Sequence, residues 1–396
     1  MADDYKPIGS DSVESTSGGL PTININDRFQ DGRYQILNKL DQGSYANVWL
    51  ARDNQNNCNV SIKTIAVSDS SNNRELDILQ RLNNGDTQHP GYKHIPRLLD
   101  FFYYDSPSGR SLFLVMEFLG PSLHTMIDND VRRFSLSLSR QVSRQLLLAV
   151  DYLHTCRIVH GDINISNILF CIPTKLQSKS DSWKPYAYEV SKNGGPLEQG
   201  VPKHSVDSIW YSEEDCDKFT KVKLVNFSNS FFISDPPATV ETLTNQCPPE
   251  LVFKKPLSKA IDIWGLSCTT YRLVTSKHLF NSDLLDKRCL VPEYYNVAGE
   301  ASAGWLLTHL VNTVQDGVWE RWPYSTVFYV NQDYPSLETR LLSDFSRIGD
   351  DDVPSEIEVA KEKLGILARY LRKMLVVDAK ERADTKELLE DEWVQE

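Results

Sequence analysis

Three observations in the sequence predict an α+β fold in two parts. Short runs with strand-like alternation crowd between Arg33 and Glu117. The stretch FLGPSL, Phe118 to Leu123, then reads as a linker. Beyond it, SRQVSRQLLLAVDYLH (Ser139 to His154) has helical spacing, with Val142, Leu146, Ala149, Val150 and Leu153 on one side. At 396 residues, 40% hydrophobic and 10% aromatic, the chain can bury a full core, enough for one large two-lobed domain or two ordinary ones.

Composition excludes several function classes. No apolar run reaches membrane-spanning length, and MADDYKPIGSDSVES lacks the basic and apolar blocks of a secretion signal. A formal charge of −12 argues against direct nucleic-acid binding and is compatible with a basic partner. The seven cysteines are scattered and odd in number, with no C-x-x-C, which argues against a disulfide scaffold or zinc site and fits a reducing compartment.

The elements follow in order. Residues 1–28 are rich in Ser, Asp, Gly and Pro and read as a disordered arm, with structure beginning at Arg33-Tyr34-Gln35-Ile36-Leu37. In LDQGSYANVWLARD, Leu40 and the run Val48-Trp49-Leu50 flank a small-residue tip, which suggests a hairpin. Gly43, Ser44 and Ala46 would let backbone N–H groups approach a phosphate, although an ordinary hairpin turn explains the same residues. Val60 to Ile65 alternates as a strand and places Lys63 amid hydrophobics, as an edge-strand charge or as an interior cation needing an anion. Asn72 and Asn73 offer a cap for the helix RELDILQRL, whose Leu76, Leu79 and Leu82 form an apolar face. Glu75 beside that face is either a partner for Lys63 or a solvated first-turn carboxylate. Strand-like runs near Leu98–Tyr104 and Leu112–Glu117 are split by a turn at Ser106 to Gly109.

The stretch IVHGDINISNIL, Ile158 to Leu169, organises the rest. Apolar Ile158 and Val159 enter a polar turn, His160-Gly161-Asp162, and Asn167 lies five positions beyond the aspartate before apolar residues resume. A loop between two buried anchors, presenting a carboxylate and an amide, suits phosphoryl transfer. The carboxylate orients a hydroxyl nucleophile and the amide oxygen helps hold a metal. A plain polar loop between core segments would look the same, so the order of its companions has to decide.

A small-residue hairpin, a strand lysine, a helix glutamate, a linker, a long helix and then H-x-D…N together resemble the eukaryotic protein kinases. GRYQILNKL, VWLARD, MEFLGPSL and VDYLH before IVHGD are most similar to the SR-protein kinases, especially fungal ones, which phosphorylate Arg-Ser repeats. The resemblance covers roughly residues 30 to 396. It implies a bilobal α+β protein-kinase fold, with a small β-rich N-lobe (29–117) and a large helical C-lobe (118–396) carrying a spacer insert at 171–222. It also implies ATP with magnesium, weakly held and replaceable by manganese, and a monomer in the cytoplasm or nucleus acting in splicing regulation on a basic Arg-Ser-rich protein.

Position by position, the resemblance makes Asp162 the catalytic base. Lys63, paired with Glu75, would hold the α- and β-phosphates. Leu40, Asp41, Gln42, Gly43, Ser44, Tyr45, Ala46, Asn47 and Val48 would cover the nucleotide. Met116 would be the gatekeeper, and Glu117 and Leu119 would offer backbone hydrogen bonds to adenine. Asn167 and Asn226 would be the metal ligands. Lys63, Asp162, Asn167 and Asn226 are expected to converge on one nucleotide. The segment after Cys171 is expected to be mostly flexible, with Glu213, Glu214, Asp215 and Asp217 solvated; Asp350, Asp351 and Asp352 are a solvated loop or a receptor for a basic substrate. Pro248-Pro249-Glu250 resembles the end of the activation segment, Arg382 would pair with Glu250, and Asp262 would brace the catalytic loop.

The pattern also departs from the family. The magnesium motif Asp-Phe-Gly falls on Asn226-Phe227-Ser228, so the metal loses a formal charge that hard cations prefer. Losing one such preorganised contact commonly costs about 3 kcal/mol, about a hundredfold in rate. Ser228 stiffens a glycine hinge, Asn164 replaces a phosphate-neutralising lysine, Gly161 replaces an arginine, and Asp41 and Ala46 stand where glycines are expected. A slow Ser/Thr kinase is the reading adopted. The alternatives are a pseudokinase, as nucleotide-binding module or nucleotide-free scaffold, and, lower, a small-molecule kinase, which HGD-x-N-x-x-N also resembles.

Overall fold

The computed structural model describes residues 19–42, 46–71, 73–127, 134–173, 187–189, 204–206, 218–280, 290–298, 306, 335–346 and 354–395. Gly43, Ser44, Tyr45, Asn72, Glu213, Glu214, Asp215, Asp217, Asp350, Asp351 and Asp352, with residues 1–18 of the expected arm and most of the expected spacer, lie outside the described residues. The chain divides into two compact units, one of 1–73, 97–118 and 174–211, the other of 74–96, 119–173 and 212–396.

The first unit is an antiparallel sheet in the order β1-β2-β3-β4-β6-β5. Its strands are β1 (Arg28–Phe29), β2 (Tyr34–Gln42), β3 (Ala46–Asp53), β4 (Cys58–Ile65), β5 (Leu98–Ser106) and β6 (Gly109–Glu117). A four-residue helix, α1 (Val67–Ser70), follows β4. Strand alternation splits the side chains between two faces. Tyr34, Ile36, Trp49, Ala51, Val60, Ile62, Phe102, Phe113 and Val115 share one core with Ile23 and Phe29. At its rim Arg33 bridges Asp53 at 3.1 Å and Asp100 at 2.8 Å, and the Tyr34 hydroxyl donates to Asp100 at 2.7 Å.

Structure therefore begins ahead of Arg33, where the sequence reading started it. Leu20 and Ile23 are 7% and 2% exposed. Single apolar residues spaced by polar ones carry no periodic signal, so only the sheet they cover reveals them.

The second unit is mainly helical. Its α2 (Arg74–Asn83) buries Leu76, Leu79 and Leu82 as expected, together with Glu75 and Ile78. After α3 (Leu123–Ile127) comes α4 (Leu136–Thr155), which starts earlier than the periodic run because Ser135 caps it, accepting from the Leu138 N–H at 3.2 Å. The later helices include α5 (Pro249–Val252) and α6 (Ala260–Thr275). Ser139 on α4 donates to the Leu273 carbonyl of α6 at 3.2 Å, tying the two central helices together.

Two short ribbons position the loop of interest. Strand β7 (Ile158–Val159) pairs with β12 (Phe231–Phe232), and β8 (Ile168–Phe170) pairs with β11 (Val222–Leu224). The remaining pair, β9 (Ala187–Glu189) and β10 (His204–Val206), lies within the expected spacer. Residues 160–167 and 225–230 are the segments joining the two ribbons, so pairing at both ends sets them side by side. This is how a long sequence separation becomes one site.

Candidate active site

In the sheet unit, the register gives Val48 opposite Lys63 and Ser61 opposite Met116. Directly paired residues share a face, so Val48, Ser61, Lys63 and Met116 stand on the face opposite the core. Lys63 is 7% exposed on a central strand, which removes the edge-strand alternative and leaves the interior cation. Leu40, Asp41 and Gln42 end β2, and Ala46, Asn47 and Val48 begin β3, confirming the hairpin. The Glu117 N–H donates to the Arg97 carbonyl at 3.3 Å, and its own carbonyl accepts from Ser61 Oγ at 3.1 Å.

In the helical unit, Glu75 is 5% exposed, so it is not the solvated first-turn carboxylate. One of its oxygens accepts the Phe227 N–H at 3.2 Å. Leu119 is buried in this unit.

The loop at 160–167 hangs from one buried carboxylate. Asp262, at the start of α6, accepts the backbone N–H groups of His160 and Gly161, each at 2.9 Å, and faces His154 Nε2 at 3.0 Å. His160 Nε2 reaches the Val225 carbonyl at 3.0 Å, linking the loop to the segment leaving β11. Gly161 has φ +83°, and a Cβ there would sit 2.6 Å from the Asn229 carbonyl oxygen. Only glycine meets both conditions, so the absence of arginine at this position is a backbone requirement.

Asp162 is held by two amides. Asn164 Nδ2 donates to its Oδ1 at 3.0 Å, and Asn167 Nδ2 to its Oδ2 at 2.8 Å and its carbonyl at 2.9 Å. Asn164 Oδ1 meanwhile accepts from the backbone of Ser166 and Asn167, capping the short 3-10 turn Ile165–Asn167. The residue at the family's lysine position thus shapes the loop. The N-x-S-N spelling was the available signal, since asparagine favours such turns.

The relay continues to the third segment. Asn226 Nδ2 donates to Asn167 Oδ1 at 3.0 Å, and Ser228 Oγ donates to Asn226 Oδ1 at 2.9 Å. Asp162, Asn167 and Asn226, three of the four residues expected to converge, are therefore brought together. Ser228, anticipated only as a stiffer hinge, joins them. Beneath, Phe227 packs edge-on against His160 at 5.2 Å.

The scaffold pair is also in place. Arg382 donates to both Glu250 oxygens, at 2.9 and 3.0 Å, in a fully buried bidentate pair. Its remaining donors reach the Ala260 and Val376 carbonyls.

Comparison with known proteins matches residues 34–179 to the protein kinase domain family. The chain is 36% identical to protein kinase dsk1 of Schizosaccharomyces pombe over 43% of this chain and 32% of that protein. It is 34% identical to the serine/threonine-protein kinase SKY1 of Saccharomyces cerevisiae over 42% and 22%, respectively. Against the serine/threonine-protein kinase SRPK of Physarum polycephalum it is 27% identical over 66% and 65%. The chain spans less than two thirds of the length of each of these relatives. Fold and match agree on an α+β protein-kinase fold with a small β-rich lobe and a larger helical one.

A protein kinase domain implies ATP and a divalent metal. The donors at the expected metal position are the Asn167 and Asn226 side-chain oxygens, both neutral and each already accepting a hydrogen bond. Hard divalent cations take carboxylate oxygens. Among the described residues no group of three or more His, Cys, Asp or Glu is placed to hold a metal. These residues, as arranged, do not fit a tightly held magnesium ion.

Proposed function

We propose that this chain, which carries a protein kinase domain of the SR-protein-kinase type, transfers the γ-phosphoryl group of ATP to Ser or Thr hydroxyls of a protein substrate, slowly. In this reading Asp162 orients the hydroxyl and receives its proton. Its two amide clamps support the role: each takes one acceptor position on a carboxylate oxygen and leaves others for the nucleophile. Lys63 neutralises the α- and β-phosphates. The ends of strands β2 and β3, Leu40 to Gln42 and Ala46 to Val48, cover the phosphates, and Met116 and Glu117 serve adenine, as Leu119 does by the family resemblance. Asn167 and Asn226 order the loop around Asp162, and no step is assigned to a metal.

The substrate is a basic, Arg-Ser-rich protein, a choice supported by the net charge of −12 and by relatives such as the human SRSF protein kinase 3. The compartment is cytoplasm or nucleus. Among the described residues no helix is long and apolar enough to cross a membrane.

The clamped carboxylate of Asp162 carries the proposal. Transfer of labelled phosphate to an Arg-Ser peptide tests it, comparing the wild type with Asp162→Ala. Transfer that falls by about a hundredfold or more in the variant supports the assignment. Equal rates would take the base role away from Asp162, and an inert wild type that ATP nevertheless stabilises against heat would replace the proposal with a nucleotide-binding scaffold.

A further inference from the structure

The amide chain around Asp162 has a fixed polarity. Asn167 directs its Nδ2 at Asp162 Oδ2 and the Asp162 carbonyl, at 2.8 and 2.9 Å. Rotating that amide would set its oxygen against two acceptors, so Asn167 Oδ1 has to face Asn226. Whatever occupies position 226 must then offer a proton, or the two must share a cation. An ionised carboxylate has no proton to offer, and two oxygens at hydrogen-bond distance repel unless something positive lies between them. Asparagine answers this with Nδ2–H at 3.0 Å.

The backbone agrees. Asn226 has φ +68°, in the left-handed region that asparagine tolerates better than most residues. Ser228 then decides which way the amide turns. Its hydroxyl donates to Asn226 Oδ1 at 2.9 Å, which leaves Nδ2 facing Asn167. A glycine at this position has no group with which to do so.

From this geometry we infer that the Asn226 N–H makes directly the link to Asn167 Oδ1 that a carboxylate at position 226 would need a divalent cation to make, with Ser228 as the positioning residue, so that the loop is closed without metal. The inference concerns the loop itself and does not depend on the proposed kinase activity. It makes the asparagine a replacement part, with its own partner two residues away.

The test uses the full chain, with metal alone and no nucleotide. Mn²⁺ binding is read from the free-ion electron paramagnetic resonance signal, and thermal unfolding is followed in EDTA and in excess Mn²⁺. The wild type is expected to leave the Mn²⁺ signal and its own Tm unchanged. Asn226→Asp is expected to melt about 2 °C or more below the wild type in EDTA, and to recover that shift as it takes up one Mn²⁺. Equal metal-dependent stabilisation of both proteins, or indifference of both, would overturn the inference. Should Asn226→Asp not fold, Ser228→Ala decides. Hydrogen–deuterium exchange over 160–168 and 222–230 in EDTA is expected to accelerate several-fold in that variant, and unchanged exchange there would refute the role of Ser228.

Discussion

Two polar clusters of the helical unit invite comparison. At the Glu250–Arg382 pair and at Asp262, formal charges are buried and every one meets charge or backbone partners. At Asp162, Asn164, Asn167 and Asn226, a single carboxylate is surrounded by neutral amides and a hydroxyl. The first cluster holds elements together without any ligand: Glu250 and Arg382 offset each other, and Asp262 is met by backbone N–H groups. The second is the cluster proposed to face phosphate, where added charge would be balanced only by what binds. The scaffold cluster is thus held by buried charge, and the loop cluster by self-contained hydrogen bonding.

The contrast can be broken hardest at the scaffold. Arg382→Met leaves Glu250 buried without a counter-charge and is expected to cost about 3–5 kcal/mol, read as a lowered urea midpoint. The double change Glu250→Met with Arg382→Leu sharpens the point. If desolvation nearly balances attraction, the pair is far less destabilised than Arg382→Met alone. A double variant as unstable as the single one would show that the carbonyl contacts of Arg382, and not its charge pairing, carry the effect.

A smaller effect comes from a group that is kept neutral. Burial pushes the His94 imidazole down to about 4, and its Nδ1 meets the Val222 carbonyl at 2.9 Å, in the strand that leads to Asn226. The unfolded imidazole, near 6.5, takes up a proton before the folded one does. The stability contributed is therefore complete above pH 6.5 and declines as pH falls toward about 4, by about 3 kcal/mol at most. Denaturation midpoints across that window should fall less steeply for His94→Gln than for the wild type. Parallel slopes would mean that His94 is not the titrating group.

The smallest change sits in the loop. Gly161→Ala forces a side chain into the left-handed region and toward the Asn229 carbonyl, at an expected cost of about 1–3 kcal/mol. Calorimetry would register it as a drop in Tm of about 2–4 °C. An unchanged Tm would show that the loop moves aside and that Asp262 does not hold it rigidly.

Much of this was legible before any coordinates. The β2–β3 hairpin, the strand around Lys63, helix α2, the body of α4 and the Glu250–Arg382 pair follow from period, residue type and family resemblance, each a local or pattern-borne signal. The buried N-terminal residues Leu20 and Ile23 were missed, because isolated apolar residues have no period to detect. The cap at Ser135 was missed because the helix was started at its periodic run.

By itself, then, the sequence determined which chemical groups this protein possesses: a strand lysine, a loop aspartate, and asparagines in place of charged residues. Only the tertiary structure decided what the asparagines do. Ribbons β7/β12 and β8/β11 bring segments from far apart in the chain within hydrogen-bond distance, and an amide's role depends on which of its two ends faces which neighbour. That orientation is set by partners such as Asp162 and Ser228, and composition and spacing carry no record of it.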